Sequence, residues 1–247
     1  MINEKQLSIN QFSRLAGIAY LVIIATGLFG QVFVRNDIIV VGDLEATIVN
    51  LKDNSELWRL GIVGDLIMHL CDIPVIVFLY WLLSQINRPL AMIALVSNVL
   101  QTAVAIANKI NLIYPLLLIA NPDTSTNELR LIETFINAHN YGFAIALLFF
   151  GISCIIYGHL IYRSNLVAKP FGVGIAMAGI CYLINSFALL LYPPISAYVM
   201  FLLLVCLLAE LAFALRLTFY GLDFNRSPYF DEHCLPHTYP SAKQKVP

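Results

Sequence analysis

The sequence predicts an all-α protein, a polytopic transmembrane bundle of six helices with short interfacial helices in its outer loops. Three observations predict it. Apolar residues fill 60% of the 247 positions against 12% charged, and the mean hydropathy of +0.80 lies above the soluble range. They fall into six long runs, each at least about the 20 residues that a helix needs to cross a hydrocarbon core of roughly 30 Å. Tyrosine and tryptophan gather at the ends of those runs, as they do at membrane–water interfaces.

The first run, Leu15 to Val34, follows a largely polar start; it is too long for a signal-peptide core and lacks a small-residue cleavage site, so it is expected to stay attached. In the loop beyond it, Asp43 is placed to cap a short helix over Leu44 to Leu51. The second run, Leu60 to Leu83, contains Pro74, which frees the carbonyl of Leu70 and predicts a kink. The third is Leu90 to Leu118. In the next loop Ser125 and Glu128 form a capping-box signature leading into Leu129, Ile132 and Ile136. Both loops read as interfacial lids. The remaining runs are Ala138 to Tyr162, Phe171 to Tyr192 and Ala197 to Tyr220, the last two separated at Pro193-Pro194. Residues 1–220 therefore make one transmembrane domain, and 221–247 are expected to be a flexible cytoplasmic tail.

Orientation follows from lysine and arginine, which are in excess on cytoplasmic flanks. With the N-terminus inside, the inner flanks carry Lys5, Arg14, Arg88, Arg163, Lys169, Arg216, Arg226, Lys243 and Lys245. Arg35, Lys52, Arg59, Lys109 and Arg130 are left towards the outside. The split places both termini in the cytoplasm of a multi-pass protein of the inner (plasma) membrane. Tyr80, Trp81, Tyr162 and Tyr220 then mark the inner interface, with Trp58, Tyr114, Tyr141, Tyr192 and Tyr198 at the outer one.

Composition also excludes. A net charge of −1 with scattered basic residues offers no footprint for nucleic acid. Five cysteines is an odd number, and Cys71, Cys154, Cys181 and Cys206 sit inside apolar runs as small hydrophobes rather than as a disulfide framework. Gly151-Ile152-Ser153 lacks the second glycine of a nucleophile elbow, and no phosphate loop is present. The partners expected are the lipid bilayer, a small polar ligand or ion, and a second copy through the small residues Gly172, Gly174, Ala176, Ala178 and Gly179 of the fifth run, although their commoner use is packing within the chain.

Ionisable groups inside a bilayer need a partner or a purpose. Asp65, His69 and Asp72 follow at offsets of four and three, so they share one helical stripe with Trp58 and Ile62 and must face the bundle interior. On the third run Asn98, Gln101 and Asn108 share a stripe beside Lys109, which can pair with Asp65 or Asp72. His139, Asn140 and Asn185 can join from the fourth and fifth runs, and Arg59 stands just outside Asp65 as an anion contact or an interfacial anchor. The candidate ligand-binding set is thus Asp65, His69, Asp72, Asn108, Lys109, His139, Asn140 and Arg59, lining an outward-facing cavity.

Four uses of this set compete. It can be a self-neutralising network that specifies helix packing. It can bind or transport a small polar solute or ion, with Asp65 and Asp72 as proton or cation sites. It can hold a divalent metal on Asp65, His69 and His139 with Asp72 as base, making a metal-dependent enzyme acting on a lipid or other membrane substrate. Haem between His69 and His139 is the fourth. The absence of a HExxH helix or a histidine-rich set weighs against the metal, so no cofactor is expected, and the second use is the leading one, without catalysis. Glu210 is expected to form a structural pair with Arg14, or else with Arg216; His233, Cys234 and His237 are a further, weaker metal candidate in the tail.

Arg14-Leu-Ala-Gly17-Ile-Ala-Tyr20-Leu21, then Arg35, Gly42-Asp43-Leu-Glu-Ala46-Thr47, Asn50 and Arg59-Leu60-Gly61-Ile62, together resemble the bacterial membrane family known as domain of unknown function 4386. The resemblance runs from the first span to the sixth. It implies a six-span membrane protein and supplies no activity or site residues.

Overall fold

The computed structural model describes residues 4–230. Among them are no strands and six helical spans long and apolar enough to cross a membrane: span 1, Ile9–Ile38; span 2, Ser55–Leu83; span 3, Arg88–Ala120; span 4, Thr126–Ser164; span 5, Lys169–Leu191; and span 6, Leu202–Tyr220. Each span packs on its sequence neighbours, and span 6 closes the ring against span 1. Short connections dictate that order, because consecutive helices joined by a few residues have to lie side by side. The Asn10 side chain accepts a hydrogen bond from Leu222 N at 2.8 Å, so the two ends of the described chain lie on one face, called here the terminal face. The opposite, loop face carries the helix Leu44–Asp53 and the start of span 4.

Local sequence accounts for the ends of the elements. Asp43 caps Leu44–Asp53 by accepting from Ala46 N at 2.9 Å. Asn87 does the same for span 3, accepting from Leu90 N at 3.1 Å ahead of a proline in the first turn. Ser125 and Glu128 form the reciprocal capping box. Span 4 stops at Asn165, whose φ of 54° is the left-handed conformation that asparagine tolerates better than most residues.

Several features differ from the sequence reading. Span 4 begins at Thr126 rather than Ala138, because no breaker separates the capping box from the apolar run and Ile132, Ile136 and His139 keep helical spacing. The second lid is therefore the first turns of span 4. Pro193–Val199 is a separate short helix, so span 6 starts at Leu202 instead of Ala197. Trp58, expected at the interface, is 2% exposed, and its indole donates to Leu112 O at 2.8 Å. Finally, the segment after span 6 is docked through residue 230: Leu222, Phe224 and Phe230 are buried in the core, and Asp223 N donates to Leu166 O at 2.9 Å. The candidate ligands His233, Cys234 and His237 lie outside the described residues.

The bond from Trp58 ties span 2 to an irregular stretch of span 3. Pro115 cannot donate to Asn111 O, and at Lys109 the helix tightens, with Lys109 N donating to Ile106 O at 3.1 Å and Leu112 N to Lys109 O at 3.0 Å. Trp58→Phe removes the indole donor to a buried carbonyl and is expected to cost about 1–3 kcal/mol, read as a lowered unfolding midpoint in detergent. An unchanged midpoint would mean that the carbonyl finds water instead.

Spans 4 and 5 cross at small residues. A Cβ on Gly158 would stand 2.5 Å from Gly172 O, and one on Gly179 2.6 Å from Gly151 O, so backbone meets backbone along this crossing. Gly172 and Gly179, read above as a possible face for a second copy, are thus used within the chain. The core divides into layers. Near the loop face Val34, Ile38, Leu51, Trp58, Ile62, Leu112, Leu116, Ile132 and Ile136 pack together. Towards the terminal face a larger apolar cluster includes Val75, Phe78, Leu82, Tyr157, Leu160, Phe213 and Leu217. Between the two lie the polar side chains.

Candidate functional site

The buried stripe of span 2 reads Trp58, Ile62, Asp65, His69, then Val75 and Leu79, with Asp72 on the same line. It passes from the upper apolar layer through three ionisable groups into the lower one. Asp65 is wholly buried, His69 is 1% exposed and Lys109 4%. The sequence reading had placed them around an outward-facing cavity; the apolar layer at the loop face covers them instead. A groove of about 390 Å³ lies elsewhere, between spans 5 and 6 against Phe171, Ala212, Leu215, Arg216, Phe219 and Tyr220.

Asp65 is the hub of an ionic triad. Its carboxylate accepts from Lys109 Nζ at 2.8 Å and from Arg35 Nη1 at 2.7 Å, with Arg35 Nη2 at 3.5 Å from the other oxygen. Lys109 reaches it from the break in span 3. Arg35 arrives from span 1 because Phe29–Arg35 is wound as a π-helix, a turn often found where a helix must re-aim a side chain. Gly30 within that turn makes the approach possible, since a Cβ there would stand 2.6 Å from Asp65 Oδ1. Gln31 Oε1 then holds Arg35 Nε at 2.9 Å, and Gln31 donates onward to Asn36 Oδ1 at 3.0 Å.

His139 flanks the triad, near enough to feel the charges of Lys109, Arg35 and Asp65. Asn108 Nδ2 donates to His139 O at 2.8 Å and lies 3.0 Å from its Nδ1, while Asn111 donates to Asn108 Oδ1 at 2.9 Å. This sets His139 with Nδ1 as acceptor and Nε2 carrying the proton. Deeper on span 2, His69 Nδ1 is 3.0 Å from Asp72 Oδ2, which also accepts from Thr102 at 3.3 Å; His69 Nε2 is buried with no partner.

Of the residues expected at the site, the structure therefore brings together Asp65, Lys109, Asn108 and His139, with His69 and Asp72 joined below. It leaves Asn140 and Arg59 exposed. Each is one position past a buried residue, His139 and Trp58, and so is turned about 100° away from it. Among the described residues no three His, Cys, Asp or Glu side chains gather as a metal would require, so Asp65, His69 and His139 are not a ligand set. Glu210 does not pair with Arg14. Tyr182 donates to Glu210 Oε1 at 2.6 Å, with Tyr20 of span 1 also near the carboxylate. Arg14 is exposed because the buried stripe of span 1 is Ser13, Ala16 and Tyr20; Arg216 instead donates to Gly221 O. Arg35 was missed as a site residue, being read only as a flank charge.

Fold and site together define a multi-pass membrane protein, an all-α bundle with a buried ionic triad among its first three spans. The family model described as "Domain of unknown function (DUF4386)" matches residues 15–221, and the chain belongs to that family. The match takes in all the triad residues. No curated protein and no solved structure matches the chain.

Proposed function

We propose that the chain binds, and carries through the membrane, a small anion at the Arg35–Asp65–Lys109 triad. The supporting observation is the charge count: two buried cations share one carboxylate, leaving a positive charge over in a place where unpaired charge is costly. A cation finds Asp65 already neutralised twice. A small anion instead meets guanidinium and ammonium donors together, with the His139 ring beside them. The break at Lys109 and the π-turn at Arg35 put both cations on irregular helix, where substrate sites of membrane carriers tend to form. A purely structural lock is favoured by one observation, the close apolar cover over the triad.

The same structure bears on orientation. Arg35 and Lys109 are buried partners rather than flank charges, so the loop face keeps only Lys52, Arg59 and Arg130 from the count above. We place that face outside and both termini in the cytoplasm, in the inner membrane.

The test is thermal stabilisation of the purified chain in detergent by chloride, acetate and inorganic phosphate at constant ionic strength. At least one anion is expected to raise the melting temperature, with the effect lost in Lys109→Met and Arg35→Gln and kept in Arg59→Ala. No stabilisation by any anion, or stabilisation that survives both triad variants, would leave the structural lock as the better reading.

A further inference from the structure

Glu210 plays no part in the triad, yet it is buried about 12 Å along span 6, near its middle. The groups facing it come from every neighbouring span: Tyr182 from span 5, Tyr20 from span 1, Asp72 from span 2 and Cys154 from span 4, with Cys206 one turn back on span 6. None is a cation. Asp72, the other carboxylate of this layer, has His69 and Thr102 as partners and no lysine or arginine among the described residues. A carboxylate buried this deep in a membrane is costly to keep ionised without a counter-charge.

The partners of Glu210 suit a proton. Hydroxyl groups donate to a carboxylate or accept from a carboxylic acid, whereas an arginine or lysine only donates. Tyr182 donates to Oε1, and the other oxygen can carry the acid proton. Across this layer His69 Nδ1 lies 3.0 Å from Asp72 Oδ2, and its Nε2 is buried with no partner.

We infer that Glu210, held by the Tyr182 hydroxyl, is a proton-binding site in the middle of the membrane. It needs no occupant of the triad and stands whether or not an anion binds there.

Infrared difference spectroscopy of the full chain in lipid, titrated with pH, tests it. A carbonyl stretch of a protonated carboxylic acid is expected at neutral pH, shifted in heavy water, lost in Glu210→Gln and kept in Glu56→Gln, which alters an exposed carboxylate. Where Glu210→Gln does not fold, Tyr182→Phe is expected to move the band. Removing the facing negative charge in Asp72→Asn makes Glu210 easier to ionise, so the band is expected to vanish at a pH at least one unit lower. His69→Gln is expected to displace the midpoint as well. Absence of the band in the unaltered chain, or a band indifferent to both Glu210→Gln and Tyr182→Phe, overturns the site.

Discussion

Asp65→Asn is expected to destabilise the bundle by about 3–5 kcal/mol, because it strands Arg35 and Lys109 as two buried cations with no counter-charge. Lys109→Met is expected to cost clearly less. It leaves Arg35 and Asp65 as a balanced pair at 2.7 Å and replaces an ammonium with an apolar chain of similar length. The double variant Asp65→Asn with Lys109→Met should then be more stable than Asp65→Asn alone, since one of the two stranded charges is gone. Unfolding of the purified variants in detergent measures all three. Equal losses for the two single variants would show that the triad acts through shape rather than charge.

Gly158→Leu carries the other large effect. The added side chain would point into the backbone of span 5 near Gly172 and Ala176, and backbone cannot swing aside as a flexible side chain can. Prising spans 4 and 5 apart is expected to cost about 3 kcal/mol or more and to lower the yield of folded protein. Gly174→Leu is the control: a Cβ there meets only Ala209 Cβ, at an ordinary 3.5 Å, and the loss should be smaller. Similar losses at both positions would mean that the crossing tolerates a wider separation than its geometry implies.

The two predictions rest on features of unequal legibility. Six spans and their all-α packing follow from apolar run length, which the bilayer thickness translates directly into helices. The inward stripe of Asp65, His69 and Asp72 follows from helical spacing, and Lys109 beside it from depth. Arg35 does not follow. It stands at the end of an apolar run, where arginine ordinarily anchors at an interface, and no residue pattern announces the π-turn that aims it inward. The expected pairing of Glu210 with Arg14 failed for a related reason: the buried face of span 1 decides, and Tyr20 rather than Arg14 lies on it. Asn140 and Arg59 were likewise included by closeness in sequence to buried neighbours.

The docked stretch after span 6 bears on how this protein can be handled. Leu222 is tied to Asn10 and Asp223 to Leu166, while Phe224 and Phe230 meet edge to face at 5.5 Å beneath the helices. Shortening the chain at Tyr220, where the apolar run stops, would bare that greasy underside to water and unfasten the first helix from the last. A fluorescent or enzymatic reporter used to decide which side of the membrane this end occupies therefore has to be joined beyond Phe230, or it will report on a damaged bundle.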